Sequence, residues 1–458
     1  MVPAAGEKPI VPPSHATAPR NGNGLKASRA SHGGLSWLNF LTALMQTGFG
    51  AFLAVYLTNQ HWSRTDIGFA LSAGAAAAMA CQVPAGLLVD WMPSKRLAAA
   101  GAVLAIMAAA VLIAFVPQHW PVFAAQVLQG AAAAVLTPAI AALTLSLARQ
   151  EKLGERLGHN VRFAAIGSAL AAAIFGLVGA WLSLRSVYWL AAFCALPCLV
   201  AILSIRPADL ALAPRRVTHA AVVPRHFRTT PPKRVRDVCC DRALLVFAAS
   251  VMLFQLGNAA LLPTAAGALA RAFGRLPDLT LAGIAPALEH VQVHTDDLLV
   301  AAWIVVPQLL AALLSPRVGR LAQFRSRRRV LLIGLAAMPL RAVLFATDGS
   351  PAATVVYQML DGITAAVLGV MIPLVVADIT HGGGRFNLAI GIVGLASGIG
   401  GTLSTAVAGA LSDRIGDIGT FLALGGAGLC ACALLAAAMP ETHGIAARIQ
   451  ANAGPRPV

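Results

Sequence analysis

Charge is what this sequence has least of. Asp, Glu, Lys and Arg together make up 11% of its 458 residues, roughly half of what a soluble chain spends on covering its surface. A water-soluble globular fold is therefore excluded. Acid is scarcer than base, 18 Asp and Glu against 34 Lys and Arg, for a formal net charge of +16. Aromatic residues are 6%, so a broad aromatic pocket is not written plainly; Trp37, Phe40, Phe49, Phe52 and Phe254 are the residues that would supply one. Of the seven cysteines (Cys81, Cys194, Cys198, Cys239, Cys240, Cys430 and Cys432), Cys194 and Cys198 share a helix face but read as small apolar packing residues, and neither a disulfide nor a zinc site is expected.

Apolar residues fill the space that charge leaves. They are 58% of the chain, and the mean hydropathy is +0.75. A membrane span needs roughly 20 apolar residues, and twelve such runs occur, at about 35–58, 66–89, 97–116, 120–148, 163–183, 186–205, 243–270, 298–316, 330–347, 351–379, 388–412 and 419–439. They read as helices, because lipid offers backbone groups no outside partner and the runs are too long for barrel strands. Their Ala and Gly content suits close helix contact. If the runs alternate from a cytoplasmic N-terminus, 28 of the 34 basic residues fall on the cytoplasmic side. The positive-inside rule then places both termini in the cytoplasm of a cytoplasmic (inner) membrane. The basic loops serve topology and contact with anionic lipid, not nucleic acid.

Two stretches repeat. Residues 126–136 return as residues 358–368 with seven of eleven positions identical, an offset of 232. Gly86-Leu-Leu-Val-Asp90 with Lys95 and Arg96 returns as Gly319-Arg-Leu-Ala-Gln323 with Arg328 and Arg329, at an offset of 233. Arg162-Phe163 and Arg385-Phe386 form a further pair, and Gln46-Thr-Gly48 matches Gln255-Leu-Gly257 at an offset of 209. The shorter offset places an insertion of about 24 residues after the seventh run, in the external loop 271–297. The chain thus reads as a duplicated six-helix unit, a recurrent design of secondary carriers.

The organisation expected is a disordered cytoplasmic tail at 1–34, a six-helix bundle at 35–205, a basic cytoplasmic linker at 206–242, a second bundle at 243–440 and a cytoplasmic tail at 441–458. Residues 1–34 lack the apolar core and cleavage site of a signal peptide, and the linker carries nine basic residues and five prolines. A monomer is expected.

With these residues in hand, the chain resembles the major facilitator superfamily along about 400 residues. That family's signature between its second and third helices is matched here by Gly86, Leu88, Asp90, Lys95 and Arg96, while Trp91, Pro93 and Ser94 depart from it. Gly86 permits close helix approach, and Asp90 sits where its charge can meet the positive N-terminal end of a neighbouring helix. The resemblance implies that this neighbour is the eleventh helix, beginning near Asn387, and that the contact holds the cytoplasmic side shut. A second family signature, in the fourth helix, is matched by Gln129 and Gly130, with Gln126 where the family carries Arg. Gly167, Gly176 and Gly179 of the fifth run resemble the antiporter signature weakly, without its Pro. The fold implied is an all-α polytopic membrane protein of twelve transmembrane helices in two duplicated six-helix bundles.

Ionisable groups are costly inside a bilayer and tend to mark function. Asp361, about ten residues into the tenth run, replaces Gln129 of the first half, and Arg341 in the ninth run is its natural partner. Three readings of Asp361 stand: a proton carrier coupled to transport, one member of a static ion pair with Arg341, or a direct substrate contact. Asp378 and Arg385 belong to the cytoplasmic end and are expected in the gate with Gly86, Asp90, Lys95 and Arg96. Amides gather on the first, fourth, seventh and tenth runs as Gln46, Gln126, Gln129, Gln255, Asn258 and Gln358. The resemblance implies that these helices line the central cavity, so the amides are either substrate contacts or interhelical hydrogen bonds. His290 and His294 have helical metal-ligand spacing beside Asp296 and Asp297, but the setting is that of a solvated acidic loop. Gly382–Gly384 lacks the strand and Lys-Ser/Thr context of a phosphate loop, so neither metal nor cofactor is expected.

The function expected is secondary active transport by alternating access, in the form of proton-coupled export of a small drug or metabolite. The alternative is proton-coupled symport for uptake of a small organic solute. A polytopic enzyme would need a cluster of His, Asp or Ser at one membrane face, and a channel would need a ring of charges or carbonyls.

Overall fold

The computed structural model of the chain describes residues 28–49, 51–148, 150–211, 234–273, 295–347, 350–380 and 385–442. Most of the expected N-terminal tail, linker residues 212–233, His290 and His294 with most of their loop, Gly382–Gly384 and residues 443–458 lie outside the described residues. The described residues are helical almost throughout and contain no strand.

In chain order, α1 (Arg29–Asn59), α2 (Arg64–Trp91), α3 (Lys95–Phe115), α4 (His119–Leu147), α5 (Leu153–Trp181) and α6 (Leu184–Leu203) form the first set. The second set starts with α7 (Arg242–Leu269), α8 (Thr295–Phe324), α9 (Arg327–Thr347) and α10 (Pro351–Ile379). Side chains that satisfy first-turn N–H groups fix several of the starts: Ser63 for α2, Ser94 for α3, Ser183 for α6 and Asp241 for α7.

The last helical run, Phe386–Ala438, is 53 residues long. At helical rise that is about 80 Å, more than twice the roughly 30 Å hydrocarbon core, so it cannot be a single span. It breaks at Gly416, whose φ of 73° and ψ of 177° lie where only glycine rests easily. α11 (386–415) and α12 (417–438) meet there, and eleven continuous runs become twelve spans.

Three helices exceed their apolar runs, the first being α1, which starts at Arg29 inside the expected 1–34 tail rather than near 35. α5 starts at Leu153 rather than near 163, and α8 continues to Phe324 rather than ending near 316. Apolarity marks where a helix touches lipid, but the backbone stays helical beyond it. Here the polar extensions pack on each other, Gly154 against Gly319.

The buried core falls into two main clusters. One runs from Leu35 to Ile205, and the other is built chiefly from residues 238–439. They meet along two seams, α2 against α11 and α5 against α8, with α10 also on α5. The duplication shows in the packing itself. Gly130 of α4 lies on the Gly74 carbonyl of α2, and 232 residues on, Gly362 of α10 lies on the Pro307 carbonyl of α8. In both places a methyl group would collide with backbone, which is why a glycine stands at the same point of each half.

Candidate functional site

Both seams close at the end of the molecule that carries Asp90 and most of the basic residues, here called the basic end. At the first seam, Gly86 of α2 rests on the Asn387 carbonyl and Gly391 of α11 rests on the Gln82 carbonyl. At the second, Gly319 of α8 rests on the Gly154 carbonyl and Gly158 of α5 rests on the Ser315 carbonyl. Each contact of one seam is the other shifted by 233 residues. Side chains longer than hydrogen at these four positions would hold the helices apart.

The seams differ in charge. At the first, Asp90 Oδ1 accepts from Asn387 Nδ2 at 2.8 Å and from its backbone N–H at 3.3 Å, and Asp90 Oδ2 accepts from Leu388 N–H at 3.0 Å. A full negative charge thus sits on the positive end of α11. At the second, the position of Asp90 is held by Gln323, whose Cγ lies over Gly154. Lys95 and Arg96 do not pair with the Asp90 carboxylate. Lys95 donates to the carbonyls of Val89 and Met92 at the end of α2, and Arg96 to those of Ile202 and Leu203 at the end of α6. They neutralise helix C-termini. Asp378 pairs with Arg327 Nε at 3.0 Å, α9's first residue, and Arg385 immediately precedes α11.

Deeper in the second half, Arg341 is 1% exposed and ties three groups together. Its Nη1 meets Asp361 Oδ1 at 2.6 Å and donates to Gln358 Oε1 at 3.1 Å, while Nη2 donates to Asn258 Oδ1 at 2.6 Å. The guanidinium joins α7, α9 and α10. These contacts compensate the buried charge, while Arg341 Nε has no hydrogen-bond partner among the described residues. The Asp361 side chain is 30% exposed, so the acidic member of the pair, unlike the basic one, faces open space.

Between the halves lies a cavity of about 450 Å³, towards the low end of small-molecule sites. Its polar wall comes from the first half: Asn39, Thr42 and Gln46 of α1, Thr137 and Thr144 of α4, and Asn160 of α5. The facing wall from α10 and α11 is apolar: Leu368, Gly369, Ile372, Pro373 and Ile390. Leu157 and Ile390 line it and adjoin Gly158 and Gly391, so the two seams form its floor. Asp361 lies seven residues, about two turns, before Leu368 and in phase with it along α10.

Of the six amides picked out in the sequence, the structure brings only Gln46 to this cavity. Gln358 and Asn258 are held by Arg341, Gln126 is buried against Gly74 of α2, and Gln255 packs by Gly400 of α11. Gln129 is half-buried one residue before the Gly130 contact. These five sit away from the cavity, which occupies the basic half of the molecule. Sequence reading also passed over Gly154, Gly158 and Ser315, which shifting the first seam by the repeat offset would have found. Thr144 sits among apolar neighbours that mask it, and Asn160 lies in the polar extension of α5, ahead of the apolar run that starts near 163.

The sequence model of the Major Facilitator Superfamily matches residues 35–274 and 248–457. Two curated Mycobacterium tuberculosis proteins, from strains CDC 1551 and H37Rv, are each 34% identical over 412 residues, covering 89% of this chain and 93% of theirs. Each is named an uncharacterized MFS-type transporter. Among solved structures, the human organic anion transporter MFSD10 superposes with a TM-score of 0.64 at 14% identity, over 89% of this chain and 99% of its own. At that identity the likeness concerns the fold. The family match and the mycobacterial relatives together establish that this chain belongs to the major facilitator superfamily of membrane transporters.

Proposed function

We propose that the protein is a proton-coupled exporter of a small organic molecule, working as a monomer in the cytoplasmic membrane with its basic end and both termini in the cytoplasm. The two halves rock about the cavity between them, with the glycine seams forming the cytoplasmic gate. The observation that carries the proton role is the asymmetric pair of a buried Arg341 and a part-exposed Asp361. Protonating Asp361 removes its charge from the pair, while Gln358 and Asn258 keep the guanidinium hydrogen-bonded. The cost of discharging the pair is thereby contained, which suits a group that must take and give a proton repeatedly. The neighbour MFSD10 is named for organic anions, but among the described residues no cationic side chain lines this cavity.

The test uses acidified inverted vesicles, with wild type and Asp361→Asn at matched expression and a panel of small organic compounds. Compound-driven collapse of the pH gradient in wild type, lost in Asp361→Asn, is the expected result. Collapse that survives the substitution overturns the role of Asp361. Uptake driven by the gradient would replace export with symport.

A further inference from the structure

Every hydroxyl proton of the cavity's polar wall is committed to the protein, as is one N–H of each asparagine. Asn39 Nδ2 donates to Leu35 O at 2.7 Å, Thr42 Oγ1 to Leu38 O at 2.7 Å, and Thr137 Oγ1 to Ala133 O at 3.2 Å. Thr144 Oγ1 donates to Ile140 O at 2.8 Å. A hydroxyl has one proton, so Thr144 can only accept from Asn160, and it does so from Nδ2 at 2.8 Å. That assigns the orientation of the Asn160 amide from its hydrogen bonding. Its Oδ1 is turned the other way, and Asn160, 5% exposed, leaves that oxygen with no hydrogen-bond partner among the described residues. What this wall has left to offer is acceptor oxygens, one N–H each on Asn39 and Asn160, and the amide of Gln46, whose side chain makes no hydrogen bond among the described residues.

Among the described residues, no Asp, Glu, Lys, Arg or His lines the cavity. An anion would meet no cation and a cation no counter-charge, so either would lose its hydration without a charged partner in return. The opposite wall offers only aliphatic surface.

Resting on the reading of this cavity as the cargo site of a carrier, we propose that the cargo is an uncharged amphiphile that presents hydroxyl or amide groups on one face and apolar surface on the other. Asn160 is its specificity-determining residue, with an acceptor held ready by Thr144. The unmet oxygen is the mark of the site: an orphaned acceptor is costly in a closed core, and a donor on the cargo relieves that cost when helix movement uncovers it.

The experiment measures binding to the full chain in lipid nanodiscs, with tritiated phenyl β-D-glucoside as the uncharged probe. Phenyl β-D-glucuronide and the 6-amino-6-deoxy glucoside compete as its carboxylate and ammonium counterparts. The expected result is saturable glucoside binding, with both charged analogues at least about thirtyfold weaker. Asn160→Leu weakens the glucoside about tenfold with unchanged melting, and Asn160→Asp shifts preference to the amino analogue. Tighter binding of the glucuronide, absence of glucoside binding by folded protein, or indifference to Asn160→Leu overturns the proposal. Counterflow in proteoliposomes separates the two readings. Glucuronide counterflow leaves the carrier standing and removes the uncharged cargo, whereas glucoside binding without counterflow removes the carrier and leaves the site.

Discussion

Asp90 of α2 accepts the backbone N–H of Leu388 at 3.0 Å, across 298 residues of sequence and from one half of the molecule to the other. It is a helix cap supplied by the opposite bundle. An N-terminal cap with a full charge contributes about 1 kcal/mol, and here that energy acts between halves rather than within a helix. Asp90→Asn keeps the shape and weakens the contact. Reaction of an Ile140→Cys thiol with an impermeant maleimide from the basic side, in a background without the native cysteines, rises about fivefold. An unchanged labelling rate would count against a gate at this seam.

The two seams make a symmetric prediction. Gly158→Val and Gly391→Val each place side-chain carbon against a backbone carbonyl of the other half, Ser315 or Gln82. Both variants are expected to hold the basic end open and to abolish turnover while still inserting. Gly176→Ala, in the same helix as Gly158 but with open space around it, is expected to transport normally. Turnover retained in either valine variant would show that its seam does not have to close.

The Arg341 cluster is a stability element as well as a coupling one. Arg341→Met strands Asp361, Gln358 and Asn258 together and is expected to cost about 3 kcal/mol, the low end for breaking a buried pair, since Asp361 is partly open to solvent. Asp361→Asn costs less, because Arg341 keeps two partners. Thermal melting in nanodiscs orders the three proteins as wild type, Asp361→Asn, Arg341→Met. The reverse order for the two variants would mean that the cluster is held by something other than the guanidinium.

Gly416 tests the helix count. Nothing lies within 4 Å of a Cβ there, so Gly416→Ala meets no neighbouring residue and costs only the strain of a positive-φ, extended-ψ backbone, about 1–3 kcal/mol. Lower yield of inserted protein, with the charged residues Asp413, Arg414 and Asp417 less exposed to proteolysis at the turn, is the expected outcome. Unchanged insertion would place the turn elsewhere.

The helices and their duplication were legible because lipid and sequence repeat leave direct traces: long apolar runs, and glycines that recur at a fixed offset. Asp90 was legible for the same reason, lying in a local motif beside a helix end. The cavity was not. Gln126 and Gln358 look alike in the sequence, yet one is packed against Gly74 and the other is held by Arg341. Their polarity gave their cost in the membrane but not the neighbour that meets it. Asn160 was hidden for a related reason. Its importance lies in a hydroxyl proton that Thr144 gives to Ile140, a relation between helices that no spacing in the sequence records.

In the proposed cycle, closure at the basic end and opening at the other are one motion of two rigid halves. Pulsed electron paramagnetic resonance measures it directly. One spin-label pair goes on Trp91 and Phe324, exposed ends of α2 and α8 at the basic end, and another on Trp120 and Thr347 at the opposite end. In Asp90→Asn, a new population is expected in which the first distance lengthens while the second shortens, in equal proportion. Lengthening at the basic end with no change at the other, or both distances growing together, would contradict it.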